Sequence, residues 1–289
     1  MEDIKIITDT SADIPDDLAK KYDIGIARFI TLFGEKEYVN GTELTNSEFY
    51  EKLEAFDGVP TSSQPPFQYL YDLLLDESRK HKTVIFFTIS SKGSGEYQTA
   101  NLIANQIKED DNPDADIRIF DSQKFSVYIA QTAVYAAQLV KEGKSADEII
   151  EICEKYIASW RAYLLVDTLK YLEKGGRLSK ASAIVGTLLD IKPILTIEHG
   201  LVESMDKLRG KKKLVDKLIE KIEDDPDFIN CDEKEFLVVQ SDDARGREAA
   251  DKLKAKYGED CIKMYSEFGP LIGIHVGRGA LAILCRIKK

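Results

Sequence analysis

The sequence predicts an α/β protein of two domains: an N-terminal domain built on a parallel sheet and a C-terminal domain of mixed α/β type. Three observations lead there. At 289 residues the chain has room for two domains of about 100–200 residues each. Through the first half, buried-strand runs alternate with segments of helical period, and strands separated by helices imply right-handed crossovers and a parallel sheet. Past Ser159 the strand-like runs are instead joined by loops rich in Gly, Lys and Arg. The boundary therefore falls there, with domains at 1–158 and 159–289.

The elements follow in order. Ile4-Lys5-Ile6-Ile7 is a short buried strand that ends in a polar turn, Thr8 to Asp13. Ile24 to Phe33 is β-branched and aromatic and reads as a second strand. Thr45 and Glu48 fit a capping box opening a helix near Asn46, and the segment after Pro65-Pro66 carries Leu70, Leu73 and Leu74 at helical spacing. Thr83 to Ile89 is the clearest buried strand; the loop Ser90 to Gly95 and a helix from Glu96 to about Glu109 follow it. Ile117 to Phe120 is another strand, ending at Asp121-Ser122 before an apolar helix that runs to Lys141. Gly143 stops that helix, and Ser145 with Glu148 caps the next. In the second half, strands are expected at Tyr163 to Val166, Ile194 to Ile197, Glu235 to Gln240, Lys263 to Ser266 and Leu281 to Ile287.

Composition excludes several classes. With 43% hydrophobic and 31% charged residues and eight prolines, the chain is neither disordered nor collagen-like nor of low complexity. Asp and Glu number 51 against 40 Lys and Arg, a formal charge of -11, which argues against a general nucleic-acid binder. No apolar run approaches the roughly 20 residues that span a bilayer. Met1-Glu2-Asp3 runs straight into a strand, so no secretory leader is expected, and Cys153, Cys231, Cys261 and Cys285 form no CxxC pair. Together these predict a cytoplasmic protein with reduced thiols.

Most enzyme signatures are missing. The three histidines, His81, His199 and His275, permit no HExxH helix, and there is no Walker loop or GxSxG elbow. Gly277 to Ala282 matches GxGxxA, but no acidic residue follows about 20 positions later to hold a ribose.

Two features do suggest binding. Ser90-Ser91-Lys92-Gly93-Ser94-Gly95 joins a buried strand to a helix, which in a parallel sheet is the carboxyl edge where ligands bind. Its glycines allow a tight turn, and free N–H groups at the helix start can hold an oxyanion. Thr61-Ser62-Ser63-Gln64, Thr8-Asp9-Thr10-Ser11 and Asp121-Ser122 are further polar segments of the same kind. Such residues also cap helices, so the four loops read either as caps or as parts of one site. The second feature is basic: Lys174-Gly175-Gly176-Arg177, and the run Lys207 to Lys213, which reads as opening a helix against its macrodipole. That placement suggests a phosphate or an acidic partner; the alternative is a solvated face. His275 lies in a glycine-rich apolar stretch, Gly269 to Gly277, as a core residue or a ligand contact.

These fragments, in this order, resemble the DegV family of bacterial fatty-acid-binding proteins. Thr8 to Pro15 is similar to the opening TDSTADLP, Ser62-Ser63-Gln64-Pro65 to TSQP, and Ile89 to Ala100 to ISSxLSGTYQSA. Leu172 to Ser179 resembles YLxKGGRIS, Ile191 to Leu195 IKPIL, Lys207 to Lys213 KxRGxKK, and Gly269 to Leu281 GPxIGxHxGPGAL. The resemblance covers nearly the whole chain. It implies a two-domain α/β fold that encloses a long-chain fatty acid, such as palmitate, between the domains. It implies no catalytic residue, metal or cofactor, the bound fatty acid being the ligand. The carboxylate would meet Ser62, or its neighbour Thr61, and Ser94. Arg177, Arg209 and His275 would serve the head group or a separate fatty acid kinase that converts the carboxylate to an acyl phosphate. No transmembrane segment is implied, and membrane involvement would be a transient surface contact. Five positions depart from the family pattern: Ser62 replaces threonine, Gly93 replaces leucine, Glu96 stands where threonine is usual, Arg278 replaces proline, and Ala282 stands where glycine is common. Read from the residues alone, two alternatives stay open, a small-molecule phosphotransfer enzyme at the same sheet edge and a regulatory module whose basic run docks an acidic partner.

Overall fold

The computed structural model describes residues 3–179, 191–210 and 212–288. The chain packs as two units, Met1–Thr45 with Pro60–Ile157 and Asn46–Val59 with Ala158–Lys289.

Apolar runs and helical-period segments alternate through the first part of the chain. They form β1 (Ile4–Asp9), α1 (Asp16–Lys21), β2 (Gly25–Ala27), β3 (Ile30–Phe33) and β4 (Lys36–Val39). After α2 (Asn46–Ala55) come β5 (Thr61–Ser63), α3 (Phe67–Lys80), β6 (Thr83–Thr88), α4 (Glu96–Asp110), β7 (Asp116–Asp121), α5 (Val127–Lys141) and α6 (Ala146–Ala158). The order β2-β1-β6-β7 gives a four-stranded sheet whose pairings are all parallel. β6 is buried along its whole length, as a central strand covered on both faces must be. Ile7, Val84 and Phe86 share one cluster with Leu70 and Leu74 of α3 and with Ile103 and Ile107 of α4. Against the other side of β1 and β6 lies α5, which is why that helix is apolar nearly all round. At the start of α6 the capping box forms as the sequence predicts: the Ser145 amide donates to Glu148 Oε2 at 2.9 Å and the Glu148 amide to Ser145 Oγ at 3.4 Å.

The expected strand Ile24 to Phe33 is two strands in two sheets. β2 joins the parallel sheet through Ala27 opposite Asp9, while β3 is the centre of a small antiparallel sheet of order β4-β3-β5. Between them Phe29 satisfies its backbone outside both ladders: its N–H donates to Thr10 Oγ1 at 3.0 Å and its carbonyl accepts from Asn40 N at 3.0 Å.

The second unit contains β8 (Trp160–Leu165), α7 (Lys170–Gly175), β9 (Ile191–Glu198), β10 (Leu201–Arg209), α8 (Leu214–Glu223), α9 (Pro226–Ile229), β11 (Phe236–Gln240), α10 (Asp243–Tyr257), β12 (Ile262–Glu267), α11 (Pro270–Val276) and β13 (Leu281–Arg286). Its sheet has the order β10-β9-β8-β13-β11-β12, antiparallel except for β11 with β12. β9 and β10 form a hairpin turned by His199 and Gly200, both at positive φ (50° and 77°), the requirement of a two-residue turn that follows the strand twist. The basic run therefore opens a helix only at its far end, where Lys213 is the N-cap residue of α8. Lys207 to Arg209 close β10, Lys212 and Lys213 precede α8, and Lys211 lies outside the described residues. The apolar face of α8 (Leu214, Val215, Leu218, Ile219, Ile222) packs with Tyr163, Phe236, Val238 and Ile283 of the sheet.

α2 belongs to this second unit, although it lies within the first 158 residues. Tyr50 Oη donates to the Phe268 carbonyl at 2.9 Å, and Asn46 Nδ2 to Glu267 Oε2 at 3.1 Å. Gly273 is required by the same packing, since a Cβ there would stand 2.4 Å from the Phe49 ring. Arg278 pairs with Glu54 at 2.6 Å, an exposed contact of small energetic weight.

Candidate functional site

Because β1, β6 and β7 run parallel, their carboxyl ends deliver three loops to one edge of the sheet. Side chains in those loops tie them to one another in a closed triangle. The Asp9 carboxylate accepts from the Ser11 amide at 2.6 Å and from the Ile89 amide at 2.9 Å, joining the first loop to the end of β6. Asp121 accepts from the Ser91 amide (3.0 Å) and hydroxyl (2.6 Å), joining the second loop to the third. The Ser126 amide donates to the Ser11 carbonyl at 3.0 Å and its hydroxyl to Asp13, joining the third loop to the first. Asp13, Gln123 and Ser126 all take positive φ (52°, 49° and 58°), a cost that only an over-determined network sustains.

Ser94 sits on this edge, half-buried, just before α4. Its oxygen accepts the Glu96 amide at 3.2 Å, which leaves the hydroxyl proton to donate elsewhere. The loop before α3 is brought alongside by Gln64: its Nε2 donates to Thr99 Oγ1 at 3.0 Å, and its Oε1 would lie 3.4 Å from a Cβ at Gly95. On β5, Ser62 is directly opposite Thr31 and Thr61 opposite Leu32. Opposed residues share a face, so Ser62 lies on the side of Thr31, which is fully buried and donates to Asn40 Oδ1 at 2.8 Å. Thr61 and Ser63 are on the other face, and both are exposed where Ser62 is half-buried.

The most unusual group at this edge is one that the sequence marks only as a departure from the family pattern. Glu96 is wholly buried, and neither of its carboxyl oxygens has a hydrogen-bond partner. Burial first, and then the neighbouring Asp9 charge, push its pKa well above the carboxyl range. Burial also raises Asp9, but its contacts with Glu96, Ser11 and the Ile89 amide oppose that. The only signal in the sequence was a carboxylate at a position where the resemblance has threonine.

In the second unit, Arg177 and His275 are brought together and Arg209 is not. α7 ends at Gly175, with Gly176 in the left-handed region (φ 69°) turning the chain so that Arg177 donates back to the Gly175 carbonyl. His275 on α11 packs so closely on this turn that a Cβ at Gly175 would lie 2.4 Å from its Nδ1. That Nδ1 is buried without a partner, and burial, assisted by the Arg177 charge, lowers the imidazole pKa to about 4. The ring is therefore neutral at physiological pH. Arg209 is exposed at the far end of β10, where its carbonyl accepts from Lys217 Nζ at 2.7 Å. Leu178, next to Arg177, bridges to Val202 at the start of that strand, so Arg209 is roughly 20 Å away along it at about 3.3 Å per residue. Among the described residues, no group of three or more His, Cys, Asp and Glu could hold a metal ion, and no helix is long and apolar enough to cross a membrane.

The family model described as "Uncharacterised protein, DegV family" matches residues 3–288. The chain belongs to the DegV family. Protein DegV of Bacillus subtilis is 32% identical over 282 residues, covering 97% of this chain and 98% of its own length. The crystal structure of DegV from Bacillus subtilis, described as a fatty acid binding protein, superposes with a TM-score of 0.85 at 30% identity, covering 99% of this chain and 100% of its own. A fatty acid binding DegV family protein from Streptococcus agalactiae gives 0.86 at 27% identity, with 100% of both chains covered. A stearic acid-binding protein from Eubacterium ventriosum gives 0.89 at 23% identity, with 99% and 98% covered, which is a likeness of fold.

Proposed function

We propose that this DegV protein is a cytoplasmic carrier that binds a long-chain fatty acid such as palmitate and presents its carboxylate to a separate fatty acid kinase, without a catalytic residue of its own. The observation that carries this reading is the Ser94 hydroxyl. Its oxygen is occupied by the Glu96 amide, its proton is free to donate, and it stands on a rigid loop triangle at the ligand edge of a parallel sheet. Ser62, on the inward face of β5, is the second donor in preference to Thr61. The solved DegV relatives that bind fatty acids support the choice of ligand. About 15 buried methylenes at about 0.8 kcal/mol each supply on the order of 12 kcal/mol before ordering costs. The tail thus supplies affinity and the hydroxyls set orientation. The neutral His275 and the adjacent Arg177 are assigned to the head group, and the exposed Arg209 to the kinase.

Solvent extraction of the purified, denatured protein followed by mass spectrometry should yield a stoichiometric C14–C18 fatty acid. An empty extract, with no uptake in a subsequent fatty acid titration, would overturn the reading. Ser94→Ala should weaken binding roughly 10- to 100-fold, since a hydrogen bond to a charged group contributes about 1.5–3 kcal/mol. Unchanged affinity would remove Ser94 from the site. Arg209→Ala should slow acyl-phosphate formation by an added fatty acid kinase while fatty acid affinity stays within about twofold, as expected for an exposed residue roughly 20 Å from Arg177. Equal turnover of variant and parent would sever Arg209 from the partner.

A further inference from the structure

We infer that Glu96 couples capture of the ligand carboxylate at Ser94 to uptake of one proton, so that this chain releases its ligand as pH rises. The inference rests on the fatty-acid reading above and concerns a residue to which that reading gives no role. Two wholly buried carboxyl groups, Asp9 and Glu96, interact with each other, and the Glu96 amide is bonded to Ser94 Oγ. Asp9 is the better placed of the two to carry charge, because two backbone N–H groups donate to it and oppose the effect of burial. Neither Glu96 oxygen has a partner in hydrogen-bond geometry, and the Ile89 amide, which donates to Asp9, offsets its burial least; side-by-side buried carboxylates do not both ionise, so the shared proton resides on Glu96. The charged neighbour acting on Glu96 is Asp9. The other acids of the surrounding loops are engaged elsewhere, Asp13 with Ser126 and Asp121 with Ser91. On the elements packed against α4, Arg79 of α3 pairs with Asp111, and Arg118 of β7 pairs with Asp116 and Asp147.

Ser94 and Glu96 are joined by the 3.2 Å bond from the Glu96 amide to Ser94 Oγ, so a carboxylate held by Ser94 brings another negative charge to the edge that already holds Asp9. That charge disfavours ionised Glu96, and the complex holds the proton more tightly than the free protein does. Linkage requires the reverse effect: affinity is highest where Glu96 is already protonated. It then falls about tenfold per pH unit between the pKa of the free protein and that of the complex. In that interval each binding event takes one proton from solvent. A threonine at this position, as in the family pattern, has nothing to titrate.

The test is calorimetric titration of the delipidated protein with myristate at about pH 6 and about pH 9, the higher in two buffers of different ionisation heat. For the parent protein, affinity at the higher pH should drop by about tenfold more than for Glu96→Gln, with proton uptake that the variant lacks. The titration of myristate itself is common to both proteins and cancels. Glu96→Thr, a second neutral replacement, should behave as Glu96→Gln does. Myristate binding with the same pH profile and proton uptake in parent and variants would overturn the coupling while leaving the carrier reading intact. Absence of binding to every protein at either pH would overturn the carrier reading and the coupling with it.

Discussion

Asp225→Ala should destabilise the second unit by about 3–5 kcal/mol, the cost of breaking a buried charge pair from one side. Three groups depend on this carboxylate. Arg161 Nη1 and Tyr163 Oη both donate to Oδ2, and the Asp227 amide donates to Oδ1 at 2.8 Å as the N-cap bond of α9. The side chains of Asp225 and Arg161 are only 10% and 21% exposed, so water entering from the cavity they line would replace the lost partner only in part. Arg161 would retain Asp227 at 2.8 Å, a carboxylate that is itself 48% exposed. Burial alone would raise the Asp225 pKa, but Tyr163 and Arg161 outweigh it and hold the group below the usual Asp value. Its contribution is therefore present above about pH 3.9, the unfolded value, and is lost as pH falls through the folded one. Urea unfolding at neutral pH measures the effect. A loss under about 1 kcal/mol would show the cluster to be no more than a surface ion pair.

The second large effect concerns acid. His275 has a folded pKa of about 4, set by burial and then by Arg177, against an unfolded value near 6.5. A base whose pKa is depressed on folding must lose a proton to fold. The unfolded chain thus binds more protons between those two values, and stability rises with pH across that window. The difference of about 2.5 pH units corresponds to on the order of 3 kcal/mol, lost as pH falls from about 6.5 to about 4. His275→Gln should flatten this slope, because glutamine cannot take up the proton. Denaturant midpoints at about pH 7, 5.5 and 4.5 for the parent and the variant measure it. Equal slopes in both proteins would place the acid sensitivity elsewhere. The Asp225 loss begins only at lower pH, which separates the two contributions.

How much of this was legible in the sequence depended on the range of the interaction concerned. The buried strand Thr83–Thr88, the helix from Glu96 and the Ser145–Glu148 cap are decided within a few residues, and all form as expected. The hydroxyl loops were legible for a related reason: parallel strands deliver their carboxyl ends to one edge, so residues after β1, β6 and β7 converge whatever else the chain does. The basic run was legible only in part, at Lys213 where it opens α8, because charge pattern does not distinguish the end of a strand from the start of a helix. Pairing of Arg209 with Ile191 makes it strand, and that partner is 18 positions away.

By itself, the sequence determined the α/β class, the parallel first half, the polar loops at its edge and the family, since these rest on periodicity, turn chemistry and ordered motifs. Tertiary structure alone decided which of those residues face inward. Only the pairing of β5 with β3 puts Ser62 on the side of buried Thr31 and leaves Thr61 outside. Only packing with Phe268 and Gly273 assigns α2 to the second unit. Only the closing of the β1 and β6 loops around Asp9 turns Glu96 from an acceptable first-turn acid into a buried carboxyl group that must keep its proton. The common reason is that burial and register are set by partners distant in the chain, and the cost of charge is set by burial.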